Sequence, residues 1–226
     1  MKRVAQGGFT LVEVSIASTI FSVVLLVALT SFFTIGRLFY KGVSITQTQE
    51  AASQVLQDIN GNFQAAGNVS PAQSGNGYNY YCIGNSRYTY NVNHMVNIDD
   101  VNHASPASGG TFGILKDTLP GSSACAVPCN DDPSAGTCAA GTVKLNNPVE
   151  LLGHKMRVEK FDVTSSASSS NLYNISLVIA YGDDSVLTYS TTPPDYSGVS
   201  CVSDPRAQQF CSISRIDTAV YRGLSY

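Results

Sequence analysis

The sequence predicts an α+β protein in which one long N-terminal helix packs on an antiparallel β-sheet with disulfide-stapled loops. Three observations support this fold class. An uncharged run of 23 residues, Val14 to Gly36, lies near the start, and the first proline is Pro71. Segments with the residue alternation of β-strands follow from Tyr78 onwards. All six cysteines lie beyond the apolar run.

The apolar run is long enough to cross a bilayer core of roughly 30 Å as a helix. Lys2 and Arg3 precede it, and the carboxylate of Glu13 lies near its start. A secretory signal peptide is cleaved after its apolar region, at a small-x-small site. Here the apolar residues continue without such a site, and the small pair Gly7-Gly8 lies before them. The run is therefore predicted to remain in the protein as a membrane helix.

The segment Gly8-Phe9-Thr10-Leu11-Val12-Glu13 resembles the prepilin signature shared by type IV pilins and type II secretion pseudopilins. The resemblance implies a pilin-like fold and a membrane peptidase that cuts after Gly8 and methylates the amino group of Phe9. It also implies that Glu13, the fifth residue of the mature chain, pairs with the amino-terminal charge of a neighbouring subunit during assembly. Major pilins commonly have a kinking proline in the membrane half. This chain has none there, which favours a minor pilin or a pseudopilin.

Glu13 also has a simpler interpretation, as a carboxylate at a helix N-terminus, where the helix dipole favours negative charge. A charge within a spanning segment is costly, however, and usually has a partner and a task. Together with the surrounding motif, this cost favours the assembly role.

Four segments are predicted along the chain: a leader (1–8), a transmembrane and assembly helix (9–36), an amphipathic half of the same helix (37–66) and an exported β-rich domain (67–226). Gly67 is the predicted helix cap. The amphipathic half is predicted to bury one face, formed by Ile45, Ala52, Leu56, Ile59 and Phe63.

The first predicted β unit is a hairpin with strands 78–83 and 87–92 around the turn Gly84-Asn85-Ser86. Its second strand places Tyr88, Tyr90 and Val92 on one face. Such tyrosines can stack on nucleic-acid bases. Aromatic residues at period two more often fill one side of a sheet, and we expect the tyrosines to be part of the core.

Residues 102–142 are rich in Ser, Gly, Ala and Pro and are predicted to form a loop. Zinc sites usually show paired short cysteine spacings or nearby histidines, and the three histidines, His94, His103 and His154, do not repeat any such spacing. The acidic pairs Asp99-Asp100, Asp131-Asp132 and Asp183-Asp184 lack the ordered spacing of a calcium loop, although some pseudopilins bind calcium. No metal and no cofactor are therefore expected.

The clearest β unit comprises strands 155–164 and 172–181 with a polar connection at 165–170. Strict alternation predicts two faces for the first strand: Met156, Val158, Lys160 and Asp162 against Arg157, Glu159, Phe161 and Val163. Residues 186–190 are a candidate third strand, and residues 211–221 the closing strand.

The even number of cysteines, six in all, predicts up to three disulfides in a domain outside the cytoplasm, with 15 connectivities open. Cys201 and Cys211 enclose a short loop, and many pilins have a C-terminal disulfide loop, so this pairing is expected. Two further bridges would use Cys82, Cys125, Cys129 and Cys138, in a pairing that the sequence leaves open.

The composition narrows the function further. Loss of Lys2 and Arg3 with the leader would change the net charge from −3 to −5, which makes nucleic acid an improbable partner. No dinucleotide loop, phosphate loop or catalytic constellation stands out. The sequence therefore predicts a structural minor subunit of a type IV pilus-like filament, not an enzyme. The predicted partners are other pilins, the prepilin peptidase and the inner membrane before assembly. The alternatives are a periplasmic pseudopilin and a binding module at a filament tip, for adhesion or DNA uptake.

Overall fold

The computed structural model describes residues 8–65, 69–70, 73–75, 78–92, 95–98, 104–105, 112–119, 125, 127–128, 142–143, 145–166, 169–188, 199–204 and 206–223. The chain divides into two compact units, Met1–Tyr40 and Lys41–Tyr226. The fold is α+β and pilin-like, with one long apolar N-terminal helix, antiparallel sheets and disulfide bonds.

Helix α1 spans Leu11–Ala65, within the range that the sequence predicts. In the first unit its side chains are exposed almost throughout, including large apolar ones such as Phe21 and Leu26. An apolar surface of this kind is disfavoured in water and requires another apolar environment.

In the second unit α1 buries one face against the sheets. Ala52, Leu56, Ile59 and Phe63 are buried as predicted, but the prediction for Ile45 is wrong because its side chain is 37% exposed. The buried face instead continues through two small polar residues and one further apolar residue: Ser44, Thr48 and Val55.

Burial of these two polar residues is possible because their hydroxyl groups are hydrogen-bonded. The Ser44 hydroxyl donates to the carbonyl oxygen of Lys41 at 3.0 Å. The Thr48 hydroxyl bonds to the Ser44 carbonyl oxygen at 2.7 Å and contacts the hydroxyl of Ser212. Ser212 in turn donates to the Ser44 carbonyl oxygen at 3.0 Å. A hydrophobicity pattern cannot identify such positions, since the buried groups are polar.

The described strands form two main sheets and three short pairs. The five-stranded sheet contains, in spatial order, β1 (Gln73–Gly75), β2 (Tyr78–Ile83), β3 (Ser86–Tyr90), β6 (Ile114–Thr118) and β9 (Val149–Glu150). The three-stranded sheet contains, in spatial order, β10 (Met156–Ser166), β11 (Ser169–Tyr181) and β14 (Ser212–Tyr221).

All described pairings within the two main sheets are antiparallel. A parallel bridge between Val92 and Val158 links the two sheets. The short pairs are β4 (Asn97–Ile98) with β5 (Ala104–Ser105), β7 (Val127–Pro128) with β8 (Thr142–Val143), and β12 (Leu187–Thr188) with β13 (Ser200–Cys201).

The predicted hairpin is confirmed, since β2 pairs with β3 in an antiparallel register. The predicted loop over residues 102–142 is wrong at the short strands β5, β7 and β8 and at β6, which pairs with β3 in the five-stranded sheet. Ile114 and Leu115 are fully buried in this strand. The segment is only five residues long and has little alternation, and its partners are distant in the sequence. Local pattern therefore did not identify it.

The predicted alternation in β10 is wrong beyond Val158, because the register with β11 shifts between Val158 and Lys160. A bulge of this kind places one extra residue in a strand and reverses the faces that follow it. Phe161 therefore joins Met156 and Val158 in the core rather than facing away from them.

The remaining strand predictions hold with altered bounds. The candidate strand 186–190 is β12, which is shorter, and residues 189–190 lie outside the described part. The closing strand begins at Ser212 and pairs with β11. Strands β10 and β11 extend into the predicted polar connection, as far as Ser166 and from Ser169.

The tyrosines of the hairpin are part of the core, as predicted. Tyr81, Tyr88 and Tyr90 are buried and surround the ring of Phe161, with centroid distances of 4.7 to 6.5 Å. Burial raises the pKa of the Tyr81 phenol to about 12, although its oxygen accepts a hydrogen bond from the Val163 amide. These rings hold the two sheets against the helix.

Two disulfides lie in the described part of the chain. Cys201 and Cys211 form the expected C-terminal bridge. Cys82 pairs with Cys125, one of the partners that the sequence left open. The candidates Cys129 and Cys138 lie outside the described residues.

Candidate functional site

The candidate site is the start of α1, where Thr10 and Glu13 form a reciprocal set of hydrogen bonds. The Thr10 amide and hydroxyl groups both donate to Oε2 of Glu13, each at 2.9 Å. The Glu13 amide donates back to the Thr10 hydroxyl oxygen at 3.3 Å. This arrangement is a capping box, which satisfies two backbone donors that a helix start leaves without partners.

The capping box fixes where the helix begins. The Val14 amide bonds to the Thr10 carbonyl oxygen at 3.3 Å, which starts the helical hydrogen-bond pattern. Glu13 is thus in the first turn, where its carboxylate also complements the helix dipole. The role of Thr10 was not predicted from the sequence, although Thr-x-x-Glu before an apolar run is a recognisable capping signature.

Gly8 and Phe9 lie immediately before this turn and are exposed. The Phe9 side chain is 86% exposed, and a Cβ atom added to Gly8 would meet nothing within 4 Å. Among the described residues, none covers the predicted cleavage site. The structure brings Gly8, Phe9 and Glu13 into one six-residue segment, whereas the described cysteine candidates are in the second unit.

After the capping box, α1 has the length and composition needed to cross a membrane. The 18-residue window that meets this criterion has a mean hydropathy of 2.3, and none of it is buried inside the protein. The hydroxyl groups in this part bond to carbonyl oxygens of the preceding turn, as Ser22 does to Ser18 and Thr34 to Thr30. Such internal bonds satisfy polar groups that an apolar environment would leave without partners.

The second unit contains buried and exposed ion pairs. Arg87 and Asp117 form a bidentate pair, with distances of 2.9 and 2.7 Å, and both side chains are fully buried. Asp183 pairs with Lys155 and Asp184 with Arg157, and both acidic side chains are exposed. Asp99-Asp100 and Asp131-Asp132 lie outside the described residues, and within the described ones no three metal-binding side chains come together.

The outer face of the three-stranded sheet has a shallow polar groove of about 540 Å³. Register pairs place Asp162, Ser176 and Asp217 side by side across it. Lys160, at one end, pairs with Asp162 at 3.3 Å. Carboxylate and hydroxyl groups at this spacing can bind water or a polar ligand, but no nucleophile–base pair is formed among them.

Comparison with known proteins agrees with the geometry of the N-terminal segment. The family model for the prokaryotic N-terminal methylation motif matches residues 3–29. No curated protein and no solved structure shows significant similarity to the chain. The matched residues comprise the predicted cleavage site, the capping box and the first part of the apolar helix. The chain therefore has the N-terminal methylation motif of type IV pilins and pseudopilins, followed by a pilin-like α+β fold.

Proposed function

We propose that this protein is a structural minor subunit of a type IV pilus-like filament that supports filament assembly or priming. One observation carries the proposal: the methylation motif lies at the capped, exposed start of a helix whose uncharged run, residues 14–36, is long enough to cross a membrane. A secreted enzyme with an ordinary anchor needs neither a glycine cleavage site before the apolar run nor a carboxylate five residues after that glycine.

The proposal assigns a task to each part of the chain. Residues 1–8 are the leader removed by prepilin peptidase, which then methylates Phe9. Residues 9–36 anchor the chain as a single pass in the inner membrane and contact other pilins in the filament. Residues 37–66 connect this anchor to the domain formed by residues 67–226, which lies outside the cytoplasm and has no enzymatic activity.

Glu13 is proposed to pair with the amino group of Phe9 in a neighbouring subunit. Thr10 bonds to one carboxylate oxygen of Glu13, Oε2, and no described residue bonds to the other oxygen, Oε1. The capping box thus holds the carboxylate in place while Oε1 can accept a bond from a neighbouring amine. An unpaired charge among apolar helices is costly, and this cost favours subunits that are correctly staggered.

The test is Glu13→Gln, which keeps the shape of the side chain and removes its charge. We expect normal cleavage and membrane insertion, because the amide oxygen can still accept a bond from Thr10. The amount of this protein in sheared filaments should fall, as should co-purification with partner pilins. Wild-type and variant chains are compared side by side for processed mass, membrane fraction and filament fraction.

Thr10→Ala is the matched control. It removes the capping hydroxyl but keeps the Glu13 charge, so the filament fraction should fall less than in Glu13→Gln. Normal filament incorporation of Glu13→Gln would mean that Glu13 is a helix-end carboxylate without a role in assembly. Recovery in a periplasmic secretion pseudopilus rather than a surface pilus would assign the chain to the alternative filament.

A further inference from the structure

The feature that suggests a further function is the edge of the three-stranded sheet at strand β14. Strand β14 is ten residues long and pairs with β11 on one side. No described strand pairs with its other side. An edge of this length presents a row of backbone donors and acceptors to any extended chain.

The orientation of these backbone groups follows from one hydrogen bond. The Arg222 amide donates to the carbonyl oxygen of Asn171, so the backbone groups of residue 222 point towards β11. Backbone groups alternate between the two sides of an antiparallel strand, and the register of β14 is uninterrupted. Every second residue therefore directs its amide and carbonyl groups to the open edge: Ile213, Arg215, Asp217, Ala219 and Tyr221.

The same residues place their side chains on the outer face, where Arg215 and Asp217 are exposed. Neither charge has an ion-pair partner among the described residues. Charges on an edge strand commonly prevent pairing with other chains. Here the two charges have opposite signs and lie one residue before and one residue after Ile216. An antiparallel pairing with a second β14 strand can therefore bring opposite charges together in one register.

We propose that β14 pairs antiparallel with β14 of a second copy, with Ile216 opposite Ile216. This register places Arg215 of each copy directly opposite Asp217 of the other, on the same face of a continuous six-stranded sheet. Residues 215 and 217 form the hydrogen-bonded pairs, because their backbone groups already point to the edge. A shift of two residues would place like charges opposite each other, which is unfavourable.

The charge pattern extends beyond the edge strand. Lys160, Val178 and Arg215 form one row across the sheet, and Asp162, Ser176 and Asp217 form the next. In the proposed contact the basic row of one copy continues into the acidic row of the other. The two sheets are thus complementary in charge across the new interface.

The direction of the helix limits where this contact can form. Ser212 bonds to Ser44, and the Gly223 amide bonds to Phe63, so this part of α1 runs in the same direction as β14. Two copies paired antiparallel would have this part of their helices in opposite directions. In the proposed function, on which this step rests, neighbouring subunits of one filament share one direction. The contact would therefore join chains of two separate filaments. The pairing itself does not depend on filament membership.

Sedimentation of the purified full-length chain in detergent micelles tests the contact. We expect a concentration-dependent dimer whose dissociation constant rises about tenfold in Arg215→Glu and in Asp217→Lys, since each change creates two like-charge pairs. The charge swap Arg215→Asp with Asp217→Arg restores both pairs and should return the constant to the wild-type range. Higher salt should weaken the wild-type dimer.

Lys160→Glu is the matched control, because it makes the same charge change on the same face, two strands from the edge. It should leave the dissociation constant of the dimer close to the wild-type value. If the chains associated through their membrane helices instead, none of these substitutions would change the dissociation constant. A wild-type chain that is monomeric at all concentrations, or a charge swap as weak as its single variants, would overturn the proposal.

Discussion

At the scale of single residues, Asp117 shows how the fold depends on a buried charge. Its carboxylate accepts two bonds from the Arg87 guanidinium group and one from the Asn146 amide at 3.1 Å. Breaking a buried ion pair by removal of one charge costs about 3–5 kcal/mol, because the remaining charge stays buried and loses its oppositely charged partner. Asp117→Asn should therefore lower the free energy of unfolding strongly in urea denaturation.

The matched control is Asp183→Asn, which breaks the exposed pair with Lys155. Exposed pairs contribute little, so its unfolding midpoint should remain near that of the wild type. Equal effects of the two substitutions would contradict the view that burial decides the difference.

Glu150 predicts a pH dependence of stability. Burial raises the pKa of its carboxyl group to about 7, partly opposed by hydrogen bonds from the amides of Gly113, Leu152 and Ile114. Between pH 4.5 and about 7, Glu150 therefore keeps its proton in the folded state and has lost it in the unfolded state. The free energy of unfolding falls as the pH rises through this range. The loss is at most about 3 kcal/mol.

Glu150→Gln should remove this contribution, because its amide stays neutral and its oxygen can still accept the backbone bonds. Urea unfolding at pH 5 and pH 8 should show that the variant gains stability relative to the wild type at the higher pH. Glu50→Gln, at an exposed position in α1, is the control and should show no such difference. A variant that follows the wild-type pH profile would exclude Glu150 as the cause.

At the scale of elements, the chain just after β14 packs tightly on the end of α1. A Cβ atom at Gly223 would lie 1.7 Å from the carbonyl oxygen of Gln64, which is backbone and cannot rotate away. Gly223→Ala should destabilise the protein by about 1–3 kcal/mol, as overpacking does. Gly61→Ala should stabilise it by up to about 1 kcal/mol, because Gly61 is exposed in the helix and a Cβ there meets nothing within 4 Å.

Thermal unfolding of the two variants checks these opposite signs. A loss of stability in both would mean that Gly61 has a role beyond its helical position. No loss in Gly223→Ala would mean that β14 can separate from α1 without cost.

Elements with local signals were predicted from the sequence, and elements that depend on distant partners were not. The helix, the hairpin and the β10–β11 pair follow from apolar periodicity, turn residues and alternation. Strand β6 is defined by its pairing with β3 and by the Asp117–Arg87 contact, 30 residues apart. The bulge in β10 is also set by packing, since it places Phe161 in the core.

At the scale of the whole molecule, the candidate site was largely predictable because it is local. Gly8, Phe9 and Glu13 lie within six residues of the sequence, the first two immediately before α1 and the third in its first turn. The pairing of Cys82 with Cys125 required the fold, because 43 residues separate them. The identity of the partner subunits depends on surfaces of other proteins, which this sequence does not contain.

Intact-mass measurement of the protein from its native membrane, with fragmentation of the N-terminus, tests the central claim most directly. The methylation motif at residues 3–29 predicts a mature chain that begins at N-methylated Phe9 and retains the apolar helix. A chain that keeps residues 1–8, or one that has lost the apolar segment, would contradict the assignment as a pilin-like subunit.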